Sequence, residues 1–144
     1  MAAMTLSDLS KKMADIDFCM LQTAAEGGSI AARPMSNNGD VDYEGDSYFF
    51  TWETSRMAAD IERDPQVAMS FTGNSGPDGH PPIFIAVQGQ AQILRNRQAF
   101  GEHWDPDLER WFEQGVDTPG MVMIKVHATR VNYWDGEGDG ELVP

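Results

Sequence analysis

The stretch Phe49-Phe50-Thr51-Trp52-Glu53-Thr54-Ser55-Arg56 decides the reading of this chain. Its first half is aromatic and apolar, as a buried strand is. Its second half carries two hydroxyls, as a helix N-terminus does. A strand, a hydroxyl-rich turn and a helix start form a seat for a phosphate, because the first helical N–H groups have no intrahelical partner. Arg56 would lie in the first helical turn. A cation there opposes the helix dipole at a cost of a few tenths of a kcal/mol, and a bound anion reverses that sign. A second segment, Arg33-Pro34-Met35, closes the apolar run Ile30-Ala31-Ala32 with a cation. Pro34 cannot donate a ladder hydrogen bond, so this strand end is an edge or a bulge. The two arginines together point to a phosphorylated cofactor. The plain alternatives are a capped helix and a surface arginine beside a strand-ending proline.

Outward from these segments, the pattern predicts a mainly β fold. A helix is expected over Leu6–Ala14, with Leu6, Leu9 and Met13 on one face and Thr5 or Ser7 as cap. Strands are expected over Phe18–Thr23, Ser29–Ser36, Ser47–Trp52, Gln66–Thr72 and Pro82–Leu94, then Gly120–His127 and Thr129–Trp134. Gly89 marks a bulge or a close approach. A helix of about three turns starts at Thr54 and stops at Asp64-Pro65. Asn96–His103 is a short helix, and Asp105-Pro106 begins another that carries Leu108, Trp111 and Phe112 to near Gly115. Asn37–Asp46 and Gly73–Pro82 are loops, and Glu26-Gly27-Gly28 is a turn. About six antiparallel strands with a few flanking helices make a barrel. The expected organisation is one domain over residues 1–135, followed by a solvated acidic, glycine-rich tail over 136–144.

The bulk numbers narrow the function. The chain has 144 residues, 41% of them hydrophobic, enough to bury a core. A net charge of −13 argues against a general nucleic-acid binder and against binding to anionic membranes. No apolar run approaches the ~20 residues of a membrane-spanning helix. The N-terminal stretch lacks a basic region followed by an apolar one, and the single Cys19 suits a reducing compartment, so a cytoplasmic location is expected. His80, His103 and His127 show no metal-ligand spacing, and no metal is expected. No Gly-x-Ser-x-Gly elbow supports a hydrolase. Asp135-Gly136-Glu137-Gly138-Asp139-Gly140 imitates half a calcium loop, but the bidentate glutamate would fall beyond Pro144.

The order of the pieces resembles the general-stress-protein branch of the pyridoxamine 5′-phosphate oxidase-like, flavin-binding split-barrel family. The carriers are Ala32-Arg33-Pro34-Met35, Phe49-Phe50-Thr51, Ser55-Arg56, Asp64-Pro65-Gln66-Val67 and Val87-Gln88-Gly89-Gln90-Ala91. They continue with Trp104-Asp105-Pro106, Trp111-Phe112-Glu113-Gln114-Gly115 and Tyr133-Trp134-Asp135. The resemblance implies a six-stranded antiparallel split β-barrel. It implies a homodimer with FMN at the subunit interface. By that resemblance Arg33, Pro34 and Met35 lie along the isoalloxazine ring. Phe50, Thr51 and Trp52 flank the ribityl chain and phosphate, Ser55 and Arg56 hold the phosphate, and Trp104 approaches the flavin from the partner.

Two departures stand out. Met57 occupies a place where relatives often carry lysine. The arginine- and histidine-bearing C-terminal substrate motif of pyridoxamine phosphate oxidases has no counterpart in Arg130-Val131-Asn132-Tyr133-Trp134. Vitamin B6 oxidation is therefore not expected. A flavin-dependent oxidoreductase and a non-enzymatic flavin carrier or stress sensor both stay open. A deazaflavin or haem is the third possibility, disfavoured by the acidic surface and by the absence of a placed histidine.

Overall fold

A computed structural model describes residues 3–37, 42–136 and 138–144. The chain runs α1 (Leu6–Ala14), β1 (Phe18–Ala24), β2 (Ile30–Ser36), β3 (Asp46–Trp52), α2 (Arg56–Arg63), β4 (Gln66–Thr72) and β5 (Phe84–Leu94). It continues with α3 (Arg97–Glu102), β6 (Met121–Asp135) and β7 (Gly138–Leu142). All strand pairs are antiparallel, in the order β2-β1-β4-β5-β6-β3, with β7 added on β6. The sheet curls into a split barrel. Among the described residues β2 pairs only with β1 and β3 only with β6, so these two edges border the split. No helix among the described residues is long and apolar enough to cross a membrane.

Alternation along each strand divides the side chains between two sides. In β1 the inward Cys19, Leu21 and Thr23 are buried, while Phe18 and Met20 face out. The barrel interior packs Leu21, Met69, Phe71, Ile85, Val87, Ile124, Val126 and Val131. α1 and α2 close onto this core through Leu9, Met13, Met57 and Ile61. A second cluster of Phe50, Phe100, Phe112, Met121 and Met123 lies beneath α3 and the segment after it. α1 starts at a capping box in which Thr5 and Asp8 satisfy each other's backbone N–H groups.

Several elements differ from expectation. The Ser55 N–H bonds to the Trp52 carbonyl at 3.0 Å, which tightens the turn. Ser55, one of the two expected hydroxyls, caps α2, and the helix runs for eight residues from Arg56 rather than about three turns from Thr54. The segment after Asp105 is not an α-helix. It forms 3₁₀ turns at Pro106–Arg110 and Gly115–Asp117, the second opening on Gly115 at φ +62°. The last two expected strands are one, β6. At its middle Gly89 pairs with Ala128 and Gln88 with Arg130, so Thr129 is the extra residue of a β-bulge. The Thr129 hydroxyl satisfies the Gln88 carbonyl at 3.2 Å. Gly89 is the close approach that the sequence signalled: a Cβ there would lie 2.6 Å from the His127 carbonyl oxygen.

The acidic tail is not simply solvated, since it pairs as β7. Glu141 pairs with Arg130, and Leu142 packs at the core margin. Gly140 leaves room for the Tyr133 phenol, with which a Cβ would clash. Residues 38–41 of the expected Asn37–Asp46 loop lie outside the described residues, as does Glu137.

Candidate functional site

A cavity of about 500 Å³ opens at the split between the two edge strands. β2 contributes Arg33, Pro34 and Met35; β3 contributes Phe50, Thr51 and Trp52; the α2 N-terminus contributes Ser55 and Arg56. Eight of the nine residues singled out in the sequence thus line one cleft. Trp104 does not line it. That indole packs edge-on to Phe50 at 5.2 Å and to Phe112 at 6.4 Å between ring centroids. The volume falls in the range of small-molecule sites, and the walls are mostly apolar and aromatic.

At the α2 end, the Ser55 Oγ accepts from the Ala58 N–H at 3.1 Å. The hydroxyl proton remains available to donate outward. The next N–H groups, of Arg56 and Met57, lie in the first turn, where backbone donors lack intrahelical acceptors. Arg56 itself is exposed. It makes no ion pair among the described residues, whereas Arg33, Arg63, Arg95, Arg97 and Arg130 each meet a carboxylate. A free cation at a helix N-terminus is electrostatically unfavourable until an anion arrives. This donor set suits a phosphate. Met57 does not add to it: the side chain is buried in the main core.

Arg33 has a different setting. Its guanidinium donates to the Leu21 carbonyl at 3.2 Å and to the Thr23 hydroxyl at 2.8 Å, and lies 3.7 Å from the Asp60 carboxylate. Burial draws the guanidinium below its usual pKa, and Asp60 opposes that effect. Arg33 stays protonated. The register explains the placement: Arg33 faces Leu21 across β1 and β2, and Leu21 points inward. The charge at the β2 wall is therefore partnered, while the charge at the α2 end is not.

The structure adds residues that sequence reasoning left out. Phe18, Tyr48, His103, Leu108 and Trp111 also line the cleft. His103 stacks on Tyr48 with ring centroids 3.5 Å apart and planes 13° from parallel. Trp111 is 59% exposed at the cleft wall, with the Arg110 guanidinium 5.6 Å from its ring centre. The Tyr48, Phe50, Trp52 alternation in β3 was a usable signal for Tyr48. No local pattern marks His103, because it reaches the cleft only through the packing of α3. Cys19 is buried in the barrel, which pushes its thiol pKa up to about 12 and makes it inert at neutral pH.

The profile of proteins described as pyridoxamine 5′-phosphate oxidase like matches residues 5–143. The chain belongs to this family. Among curated relatives, it is 26% identical over 97 residues to general stress protein 26 of Bacillus subtilis, covering 67% of this chain. It is 25% identical over 137 residues to protein bli-3 of Neurospora crassa, covering 89% of this chain. The matches span 65% and 63% of those relatives' lengths. A crystal structure of a Clostridium acetobutylicum protein related to general stress protein 26 superposes with a TM-score of 0.77 at 17% identity, covering 96% of this chain and 93% of that one. The general stress FMN/FAD binding protein of Xanthomonas citri superposes with a TM-score of 0.72 at 21% identity, covering 92% and 89%. These likenesses agree with the split barrel, and the family profile extends through β7.

Proposed function

We propose that this member of the pyridoxamine 5′-phosphate oxidase-like family is an FMN-binding flavoprotein that works as a homodimer. The observation that carries the reading is Arg56: a cation with no carboxylate partner among the described residues, at the N-terminus of α2, in an aromatic cleft. Ser55 and Arg56 would hold the phosphate. Phe50, Thr51 and Trp52 would flank the ribityl chain, and Arg33, Pro34 and Met35 the ring. Bound flavin supplies hydride and electron transfer, and the chain supplies binding and orientation. The general stress FMN/FAD binding protein, a structural neighbour, supports this class of ligand.

The dimer has its own support. The outer face of β1, β4, β5 and β6 exposes Phe18, Met20, Phe84 and Trp134, and Ile30 on β2 is 79% exposed. Phe84 stands opposite Trp134 in the ladder. On the same face the Gln22 Oε1 is buried without a hydrogen-bond partner among the described residues. An apolar face with an unmet acceptor suits a second copy. Phe18 and Pro34 belong to both this face and the cleft, so a partner seated there would border the ligand.

The test is titration of the purified chain with FMN and riboflavin, followed by visible absorbance. Uptake of FMN at micromolar concentration is expected, and failure to bind refutes the reading. Anaerobic addition of NADH or NADPH then separates a reductase from a carrier: bleaching of the bound flavin indicates a reductase. His103 on the cleft wall favours haem as the second reading. A Soret band on haem addition with no flavin uptake would establish it.

A further inference from the structure

The split leaves the two sides of the cleft without a shared ladder. β2 carries the proposed ring wall, α2 carries the phosphate seat, and β2 is an edge strand bonded only to β1. One polar network, centred on a buried carboxylate, spans the gap. Asp60 lies on the buried side of α2, one helical turn beyond Arg56, and is only 6% exposed. Its Oδ2 accepts from the Thr23 hydroxyl at 2.9 Å and lies 3.7 Å from the Arg33 guanidinium. Its Oδ1 accepts from Arg63 at 3.1 Å. Arg63 in turn donates to the Ala24 carbonyl at the end of β1, at 2.9 Å. The Thr23 hydroxyl is shared: it accepts from Arg33 and donates to Asp60. Three elements, β1, β2 and α2, meet at one carboxylate.

A buried carboxylate between two guanidiniums is costly to desolvate and stays only where its hydrogen bonds are complete. Here each oxygen accepts a hydrogen bond, from Thr23 and from Arg63, and Arg33 adds an ion pair. We infer that Asp60 is a positioning residue for the cleft. It fixes Arg33 and ties the ring wall on β2 to the helix that holds the phosphate. Asp60 touches no ligand; it acts through Arg33 and Thr23. This role rests on the FMN reading.

The sign of the effect separates positioning from charge. Asp60→Asn removes an anion near a site for an anionic ligand. A purely electrostatic role predicts tighter FMN binding. Positioning predicts weaker binding, about tenfold, which is about 1.4 kcal/mol. The loss is expected to be equal for FMN and riboflavin, because the ring wall moves and the phosphate seat does not. In an Arg33→Met background, Asp60→Asn is expected to add nothing further. In the ligand-free protein, amide exchange over Ile30–Ser36 is expected to quicken in Asp60→Asn. Thr23→Val keeps the side-chain volume and both charges, and carries the same test if Asp60→Asn fails to fold. It is expected to weaken both ligands by a smaller factor.

Tighter FMN binding in Asp60→Asn overturns the role, as do losses that add in the double variant. Unchanged β2 exchange also overturns it, whether or not flavin binds. Wild-type protein that takes up neither flavin overturns the FMN reading itself and, with it, the role in flavin binding. Quickened β2 exchange in Asp60→Asn would then still establish the tie between β2 and α2.

Discussion

Arg56→Ala offers a perturbation whose sign reverses between the free and the loaded protein. In the free protein Arg56 sits in the first turn of α2 with no carboxylate partner among the described residues. Its charge opposes the helix dipole there by about 0.3–1 kcal/mol. Alanine removes that repulsion and is a better helix former. The variant is therefore expected to be slightly more stable without ligand, melting about 1–4 °C higher for a domain of this size. FMN inverts the comparison. A cation at 4 Å from a phosphate oxygen contributes about 1 kcal/mol in bulk water and about 4 kcal/mol near a protein surface. Arg56 is exposed, which favours the lower half of that range, about 1–2 kcal/mol. The expected loss of FMN affinity is thus about 5- to 30-fold. Riboflavin lacks the phosphate and its affinity is expected to stay within about twofold of wild type, inside the scatter of remote substitutions. The FMN loss also shrinks with salt, because an exposed pair is screened over about 10 Å at 0.1 M. Parallel fluorescence titrations with both flavins, at two salt concentrations, and thermal melts of the free proteins supply every number. An equal loss for both flavins, or a lower melting temperature in the free variant, refutes a phosphate role and makes Arg56 structural.

Three other outcomes follow from particular contacts. Gly89→Ala puts a Cβ 2.6 Å from the His127 carbonyl oxygen, a backbone atom that cannot swing away; urea unfolding is expected to show a loss of about 1–3 kcal/mol. Cys19 has its thiol pKa raised from 9.0 to about 12 by burial; the unfolded chain releases that proton first, so its contribution to stability is present below pH 9, falls as pH rises towards 12, and is absent from the pH dependence of Cys19→Ala. Phe84→Glu places a charge on the exposed apolar face, opposite Trp134; sedimentation is expected to change from dimer to the 15.9 kDa monomer with loss of FMN affinity, and a wild-type monomer with full affinity refutes the shared cleft.

What could be read in advance followed the range of the forces involved. α1 was legible because its cap and its apolar face are local: Thr5, Asp8, Leu9 and Met13 lie within three turns of one another. β4 was legible because alternation and the flanking Pro65 and Gly73 bound it. Gly89 was legible because a glycine inside a strand has few reasons to be there, and the His127 carbonyl supplies one. The errors arose where a distant partner decides. Ala128 fell between two expected strands, yet β5 carries the ladder past it, with Thr129 as the bulge. The acidic tail has a composition that favours water, yet β6 offers an edge, Arg130 a charge and Tyr133 a space shaped for Gly140. The site divides in the same way. Ser55 and Arg56 could be found from adjacency alone, since a cap and a first-turn cation are neighbours in sequence. Asp60 could not: from sequence it is one more acidic residue on an amphipathic helix. Its burial, and its pairing with an arginine 27 positions earlier, exist only once β1 and β2 have folded back beneath α2. The groups that would touch a ligand were thus visible before the groups that hold them, because the first are set by local backbone geometry and the second by closure of the barrel.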